Sequence, residues 1–210
     1  MDEIIPKVSF YVFGVPVRNT VVGTWITMVF IILGVWYVRR TLPTALVMLI
    51  DFVRDSITGI MGSSVQADRY IPFLGTLVIF LLVANNIFVI PAIATPTMDI
   101  NTPLALSIVV FFAVHYFGFR EQGILGYLKA RASPLLILDI ISDVSRTLSL
   151  SLRLFGNILA GEVIVAVIYR LVGPLAPLPL IVLSLVTGVL QAYVYFVLTA
   201  NAIASAVVRT

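Results

Sequence analysis

Cysteine is absent and there is one histidine, His115. These two shortages exclude a disulfide framework, a thiol nucleophile, a cysteine-based metal site and a histidine-rich one, so no metal is expected. Charge is scarce too. Only 11% of the 210 residues are charged and 60% are hydrophobic, whereas a soluble domain carries about a quarter charged residues. The composition is that of a polytopic membrane protein. A net charge of +3 is too small for a nucleic-acid footprint and reads instead as a topology signal. The N-terminal MDEIIPK holds acids and a proline, unlike the basic start of a signal peptide, so insertion is expected to rest on later segments. No phosphate-binding loop, internal repeat or low-complexity segment is present, and no cofactor is implied.

What is present is a series of long apolar runs. Residues 1–20 form a short mixed segment in which VSFYVFGVPV has a strand-like or interfacial character. Membrane helices are expected over 21–38, 71–94, 103–119, about 135–172 and about 179–208 of a single domain, residues 1–210. Between the first two, 43–68 is apolar but interrupted by Asp51, Arg54, Asp55 and Asp68. Asp51, Arg54 and Asp55 share one helix face, which predicts an amphipathic helix at the membrane surface. The fold expected is therefore all-α, with about five transmembrane helices plus this surface helix. Alternating sides puts Arg39, Arg40, Arg54, Arg69, Arg120, Lys129, Arg131 and Arg209 together. Lys7, Arg18 and Arg170 fall opposite. The positive-inside rule then gives an outside N-terminus and a cytoplasmic C-terminus.

The fourth run is too long for a simple span. Pro134 and Pro174 bracket 39 residues of helical pattern, which would extend ~58 Å where the hydrocarbon core needs only ~30 Å. Either the last two helices are long and strongly tilted, or a loop near 171–178 and a cytoplasmic extension before 145 absorb the excess.

This helix carries Arg153 inside the apolar stretch LSLSLRLFGNILAG. Its neighbours one turn away are Ser149, Leu150, Gly156 and Asn157, so no local carboxylate can pair with it. An arginine at the bilayer centre costs at least ~2.5–3.5 kcal/mol on insertion scales. The expectation is a counter-charge for a carboxylate on another subunit; the alternative is a snorkelling arginine or a pair with a distant acid of this chain. At ~100° per residue, Arg146, Asp139, Asn157, Ser149 and Asp143 fall within about 80° of Arg153 and form one polar stripe. Arg146 is expected to be neutralised by Asp143 and Asp139 on its own helix. Those two acids are either solvated at a membrane entrance or suppliers of ions to a half-channel. Glu162, nine residues after Arg153, faces the other way, at ~180°. A lone intramembrane acid marks an ion pathway or hydrogen bonds to nearby backbone.

In the last helix Ser184, Gln191 and Tyr195 share a face, either as packing glue or, for Gln191, as a neighbour of Arg153 or Glu162. Asn85 and Asn86 are glue first and channel lining second. His115 is expected near the end of its span as a structural residue.

Together SRTLSLSLRLFGNILAGE, GVLQAYVYFVLT, NNIFVIPAIATPTMDINTPLALSI and NTVVGTWITMVF resemble subunit a of the F-type rotary ATP synthase over about residues 17–200. The resemblance implies a non-catalytic stator subunit with two half-channels that carry H+ or Na+ to and from the carboxylates of a c-ring. It also implies peripheral-stalk b subunits and other subunits of the complex as partners, and a bacterial inner membrane as the location. Arg153 matches the stator arginine, and Glu162, Gln191 and Asn157 match polar positions of the ion path. Asp139, Asp143, Ser184 and Asn86 are implied as half-channel lining. Three positions depart from the pattern. Ser184 stands where several bacterial members have a histidine or another polar residue, Thr147 replaces a frequent proline, and Asn201 is unexpected. The rival function is a secondary transporter that binds an anionic substrate at Arg153; such proteins often carry inverted repeats and broken helices, and this chain shows neither.

Overall fold

The computed structural model describes residues 8–12, 15–62, 64–90, 95–131 and 136–208. The strand-like N-terminal segment forms a small antiparallel hairpin, β1 (Val8–Val12) and β2 (Val15–Arg18), with Val12 opposite Val15. Six helices follow: α1 (Asn19–Thr41), α2 (Pro43–Met61), α3 (Ser64–Asn86), α4 (Asn101–Arg131), α5 (Leu136–Val172) and α6 (Leu178–Val208). Five of them contain stretches long and apolar enough to cross a membrane. The molecule is an all-α polytopic membrane protein. Because the spans alternate in direction, the hairpin, the starts of α1, α4 and α6, and the ends of α3 and α5 gather at one end, here called the hairpin end.

Local chemistry sets the helix bounds, and several differ from the sequence expectation. The amphipathic helix stops at Met61, because Gly62 takes the left-handed conformation (φ 75°) and donates its N–H to the Thr58 carbonyl at 2.7 Å. This is the common glycine stop of a helix. Asp68 therefore belongs to α3, where it meets Arg54 at 3.1 Å. The second span ends at Asn86 and tightens into a 3-10 turn, Ile87–Val89; residues 91–94 lie outside the described part. The third span, expected over 103–119, runs on as helix to Arg131 instead. It passes a break at Gly123, whose φ of 71° and ψ of 161° belong to a backbone region open essentially to glycine alone.

The core is built from α3, α4, α5 and α6, with Val53 and Ile57 of α2 packed into it. Leu74, Leu77 and Leu81 of α3 meet Val110, Val114 and Phe117 of α4, Leu150 and Leu154 of α5, and Phe196 and Ile203 of α6. Alanines at 192, 200, 202 and 206 keep α6 slim on its buried side, and small residues let membrane helices approach closely. Away from the hairpin end, the Gln122 side-chain amide donates to the Ala206 and Val207 carbonyls, both at 3.1 Å. These are carbonyls that the last turn of α6 leaves without intrahelical partners. Helix α1 stands apart. It buries only the small stripe Thr20, Gly23 and Thr27, and it exposes Trp25, Phe30, Leu33 and Trp36.

Gly123→Ala is expected to destabilise the protein by ~1–3 kcal/mol, the usual penalty for a side chain in such a backbone region. Gly59→Ala, at an exposed helical position with open space around it, is expected to leave stability unchanged or slightly raised. Thermal unfolding midpoints of the detergent-solubilised proteins compare the two.

Candidate functional site

Helix α5 runs unbroken for 37 residues. Its packed side is Leu150, Ser151, Leu154 and Ile158. On the opposite side Arg146, Ser149, Arg153, Gly156, Asn157 and Ala160 are all exposed. These residues of the stripe thus lie on the outside of the bundle, with Asn157 at its edge, where it reaches Gln191 of α6. Among the described residues Arg153 has no hydrogen bond and no ion pair.

The stripe differs from expectation in its acids. Asp143 turns toward α4, where its carboxylate lies 3.9 Å from His115 Nε2, with side-chain exposures of 14% and 22%. His115 is accordingly an interior residue facing α5, not one at the end of its span, and its Nδ1 contacts the Phe111 carbonyl at 2.8 Å. Arg146, expected to be neutralised by Asp143, is exposed and has no ion pair among the described residues. The side chain of Asp139 lies outside the described residues.

Glu162 faces a cleft of about 630 Å³ between the last turns of α5 and the first turns of α6. Phe88, Asn157, Tyr169, Arg170, Ser184 and Thr187 are among its other walls. Arg170 stands toward the hairpin end and Asn157 at the inner end, one turn of α5 from Arg153. Glu162 Oε1 is buried without a protein partner.

Among the described residues Gln191 makes no hydrogen bond to Arg153 or Glu162. Its Oε1 accepts a hydrogen bond from Asn157 Nδ2 at 2.9 Å, and its Nε2 is left without a partner. The face shared by Ser184, Gln191 and Tyr195 divides between two neighbours. Ser184 lines the cleft, while the Tyr195 hydroxyl meets Ser107 of α4 at 3.1 Å. Asn85 donates to the Gly188 carbonyl at 3.2 Å and Asn86 to the Leu82 carbonyl at 2.7 Å, so both glue helices or turns together. Their side-chain oxygens remain buried and unpartnered. The absence of a side chain at Gly188 permits this crossing, since a Cβ there would lie 2.7 Å from Asn86 Oδ1.

Sequence reading missed one cluster. Asp99, 4% exposed, accepts four hydrogen bonds. Arg18 Nη1 (2.9 Å) and Thr20 Oγ1 (3.1 Å) donate to one oxygen; the Asn101 backbone N–H (3.2 Å) and Nδ2 (2.9 Å) donate to the other. The signal was a carboxylate in a loop without basic residues, but its cationic partner lies 81 positions away.

The comparisons with known proteins agree on one family. A model of the ATP synthase A chain matches residues 21–203. The chain belongs to the ATP synthase A chain family. Its relatives include ATP synthase subunit a 2 of Bradyrhizobium sp. (strain BTAi1 / ATCC BAA-1182), 41% identical over 94% of this chain and 92% of that protein. A second is ATP synthase subunit a 2 of Picosynechococcus sp. (strain ATCC 27264 / PCC 7002 / PR-6), 38% identical over 95% and 91%. Subunit a of Moorella thermoacetica is 33% identical over 98% of each chain. As in the expectation from sequence, Arg153 and Glu162 lie within the stretch that the ATP synthase A chain model covers.

Burial pushes the Asp99 carboxyl upward, but the hydrogen bonds from Arg18, Asn101 and Thr20 outweigh it and hold the group below the ordinary carboxylate range. A carboxyl lowered on folding stabilises the fold above its unfolded value of ~3.9 and loses that contribution as pH falls through the folded value. Amide hydrogen exchange at residues 95–101 is therefore expected to accelerate in strong acid, below pH ~4. Asp99→Asn should exchange fast already at neutral pH, with no further acid step.

Proposed function

We propose that this chain is the stator ion-channel subunit of a rotary ATP synthase membrane sector, carrying H+ or Na+ between two half-channels and the carboxylates of a c-ring. The observation that supports this reading best is Arg153, a guanidinium exposed on the outside of a membrane helix with no ion pair among the described residues. A ring carboxylate must be neutral, loaded with its ion, to cross lipid. Opposite Arg153 it ionises, because a nearby cation favours the charged form. The released ion leaves through one half-channel, and another ion loads from the second. The fixed arginine also repels free cations, which blocks a direct leak between the two.

The remaining site residues fit roles around this exchange. Glu162, Ser184 and Asn157 line the cleft as an access path from the hairpin end toward Arg153. The unpartnered polar atoms of Glu162, Asn86 and Gln191 are where water or a passing ion finds hydrogen-bonding or coordinating groups. The Asn157–Gln191 hydrogen bond fixes the inner end of that path beside the arginine. Asp143 with His115, and Asp139, belong to the other half-channel, reached from the opposite end. The apolar part of α5, 32 residues from Ile141 to Val172, extends ~48 Å against a hydrocarbon core of ~30 Å. Strong tilt of α5 and α6 in the bilayer accommodates that excess and lays the stripe along a curved ring. In this reading the N-terminus is outside, the C-terminus cytoplasmic and the membrane a bacterial inner membrane. Peripheral-stalk b subunits and other subunits complete the complex, and nucleotide chemistry belongs to them. The driving force is ~2.3 kcal/mol per elementary charge per 100 mV.

Arg153→Ala is expected to abolish ATP-driven ion uptake into inverted membrane vesicles while the chain still inserts and assembles. Glu162→Gln is expected to slow it about tenfold or less, below the ~10²–10⁴-fold that a positioned proton-transfer group supplies in a transition state. Uptake at the native rate in Arg153→Ala vesicles would sink the mechanism.

A further inference from the structure

We propose that the cleft between α5 and α6 is a binding site for a hydrophobic organic cation, a protonated amine on a drug-sized apolar body, whose ammonium group sits on the Glu162 carboxyl beside Ser184. Binding stands on the cleft alone. The block of ion entry that follows from it rests on the cleft being an ion path, as proposed above.

The cleft has the size and make-up of a small-molecule site. Its volume of about 630 Å³ falls inside the ~300–1,000 Å³ range of ligand pockets. Phe88, Ile158, Val165, Leu180 and Ile181 supply apolar walls, against which a hydrocarbon body leaves water favourably. The polar groups are few, and several converge at one level. Glu162 follows Gly161 directly, and a Cβ at Gly161 would lie 3.1 Å from Ser184 Oγ. The Ser184 hydroxyl therefore meets α5 at the level of Glu162, and Thr187 stands one turn farther along α6 in the same wall.

The charge pattern selects the ligand. Glu162 Oε1 is buried without a protein partner, and no cation of the described residues pairs with the carboxyl. A carboxylate held in an apolar cleft is costly until a counter-charge reaches it. Arg170 does not supply one. It lies eight residues on, ~12 Å along the helix, and it is exposed toward the hairpin end, where water and salt screen its charge. A primary ammonium has three N–H donors. One goes to the carboxylate, and the hydroxyl oxygens of Ser184 and Thr187 can accept the others. An anion of the same shape would meet Glu162 as a like charge, and a neutral alcohol would bring no counter-charge.

The absence of native cysteine allows a direct test. Ala166→Cys places a thiol in the cleft wall, one helical turn from Glu162, in inverted vesicles containing the assembled complex. Its labelling rate with N-ethylmaleimide is measured with 3,3-diphenylpropylammonium, 3,3-diphenylpropanol or 3,3-diphenylpropanoate present. The three share one body and differ in charge. At about ten times its dissociation constant the ammonium is expected to slow labelling about tenfold, as mass action leaves few sites free. The alcohol and the anion at the same concentration are expected to leave the rate near its starting value. Glu162→Gln in the same background is expected to raise the ammonium concentration needed about tenfold or more, the share of one charge-assisted hydrogen bond.

Equal protection by the alcohol, stronger protection by the anion, no protection by the ammonium, or unchanged protection in Glu162→Gln overturns the proposal. The three-ligand comparison needs no change at Glu162, so it decides the matter even if Glu162→Gln fails to assemble. ATP-driven ion uptake by the same vesicles separates binding from the ion path. Uptake slowed by the ammonium where Glu162 is intact, and not slowed further in Glu162→Gln, supports both. Protection without slowed uptake upholds the binding site and overturns the cleft's place in the ion path.

Discussion

A guanidinium cannot rest cheaply against hydrocarbon, and most of this structure can be understood from that constraint. Arg153 projects from the exposed side of α5 with no anion paired to it among the described residues. Intramembrane charges face protein or water-filled space almost without exception. An exposed, unpaired arginine in a membrane helix is therefore a surface awaiting a partner. The rest of α5 is compatible with close approach along this face. Gly156 and Ala160 keep it shallow on either side of Asn157, and Leu150, Leu154 and Ile158 anchor the helix to the bundle from behind.

The bundle behind that helix is tied together at both ends. Gln122 ties α4 to the last carbonyls of α6 at one end, and Asp99 ties the hairpin, α1 and α4 at the other. Between them the cleft approaches Arg153 from a single end and stops at the Asn157–Gln191 hydrogen bond. The cleft and the His115–Asp143 contact lie on opposite sides of Arg153 along α5. In the proposed function these are the two access routes, separated by a fixed positive charge.

Much of this was legible in the sequence because helix periodicity is a strong constraint. One angle per residue was enough to group Arg146, Ser149, Arg153 and Asn157 on a face, and the structure exposes all four. Five apolar runs were equally plain, since a span needs length more than detail. What the sequence hid were contacts across long separations. Asp143 is three residues from Arg146, yet it turns to His115 on another helix, because the rotation of α5 against α4 is set by packing. Asp99 was missed because its cationic partner, Arg18, lies 81 positions away. Helix ends were misjudged where a single glycine decides them: Gly62 stops α2 early, and Gly123 lets α4 continue past a break.

The most direct measurement uses the absence of native cysteine in this chain. A single cysteine at Ala160, on the Arg153 face, is compared with one at Phe112, equally exposed but on α4, in native membranes carrying a cysteine in the ring helix that bears the ion-binding carboxylate. The account predicts a disulfide to that helix from position 160 and none from position 112. Crosslinking from both positions alike, or from neither, would contradict it and favour a transporter in which Arg153 holds a small anion instead of facing a rotor.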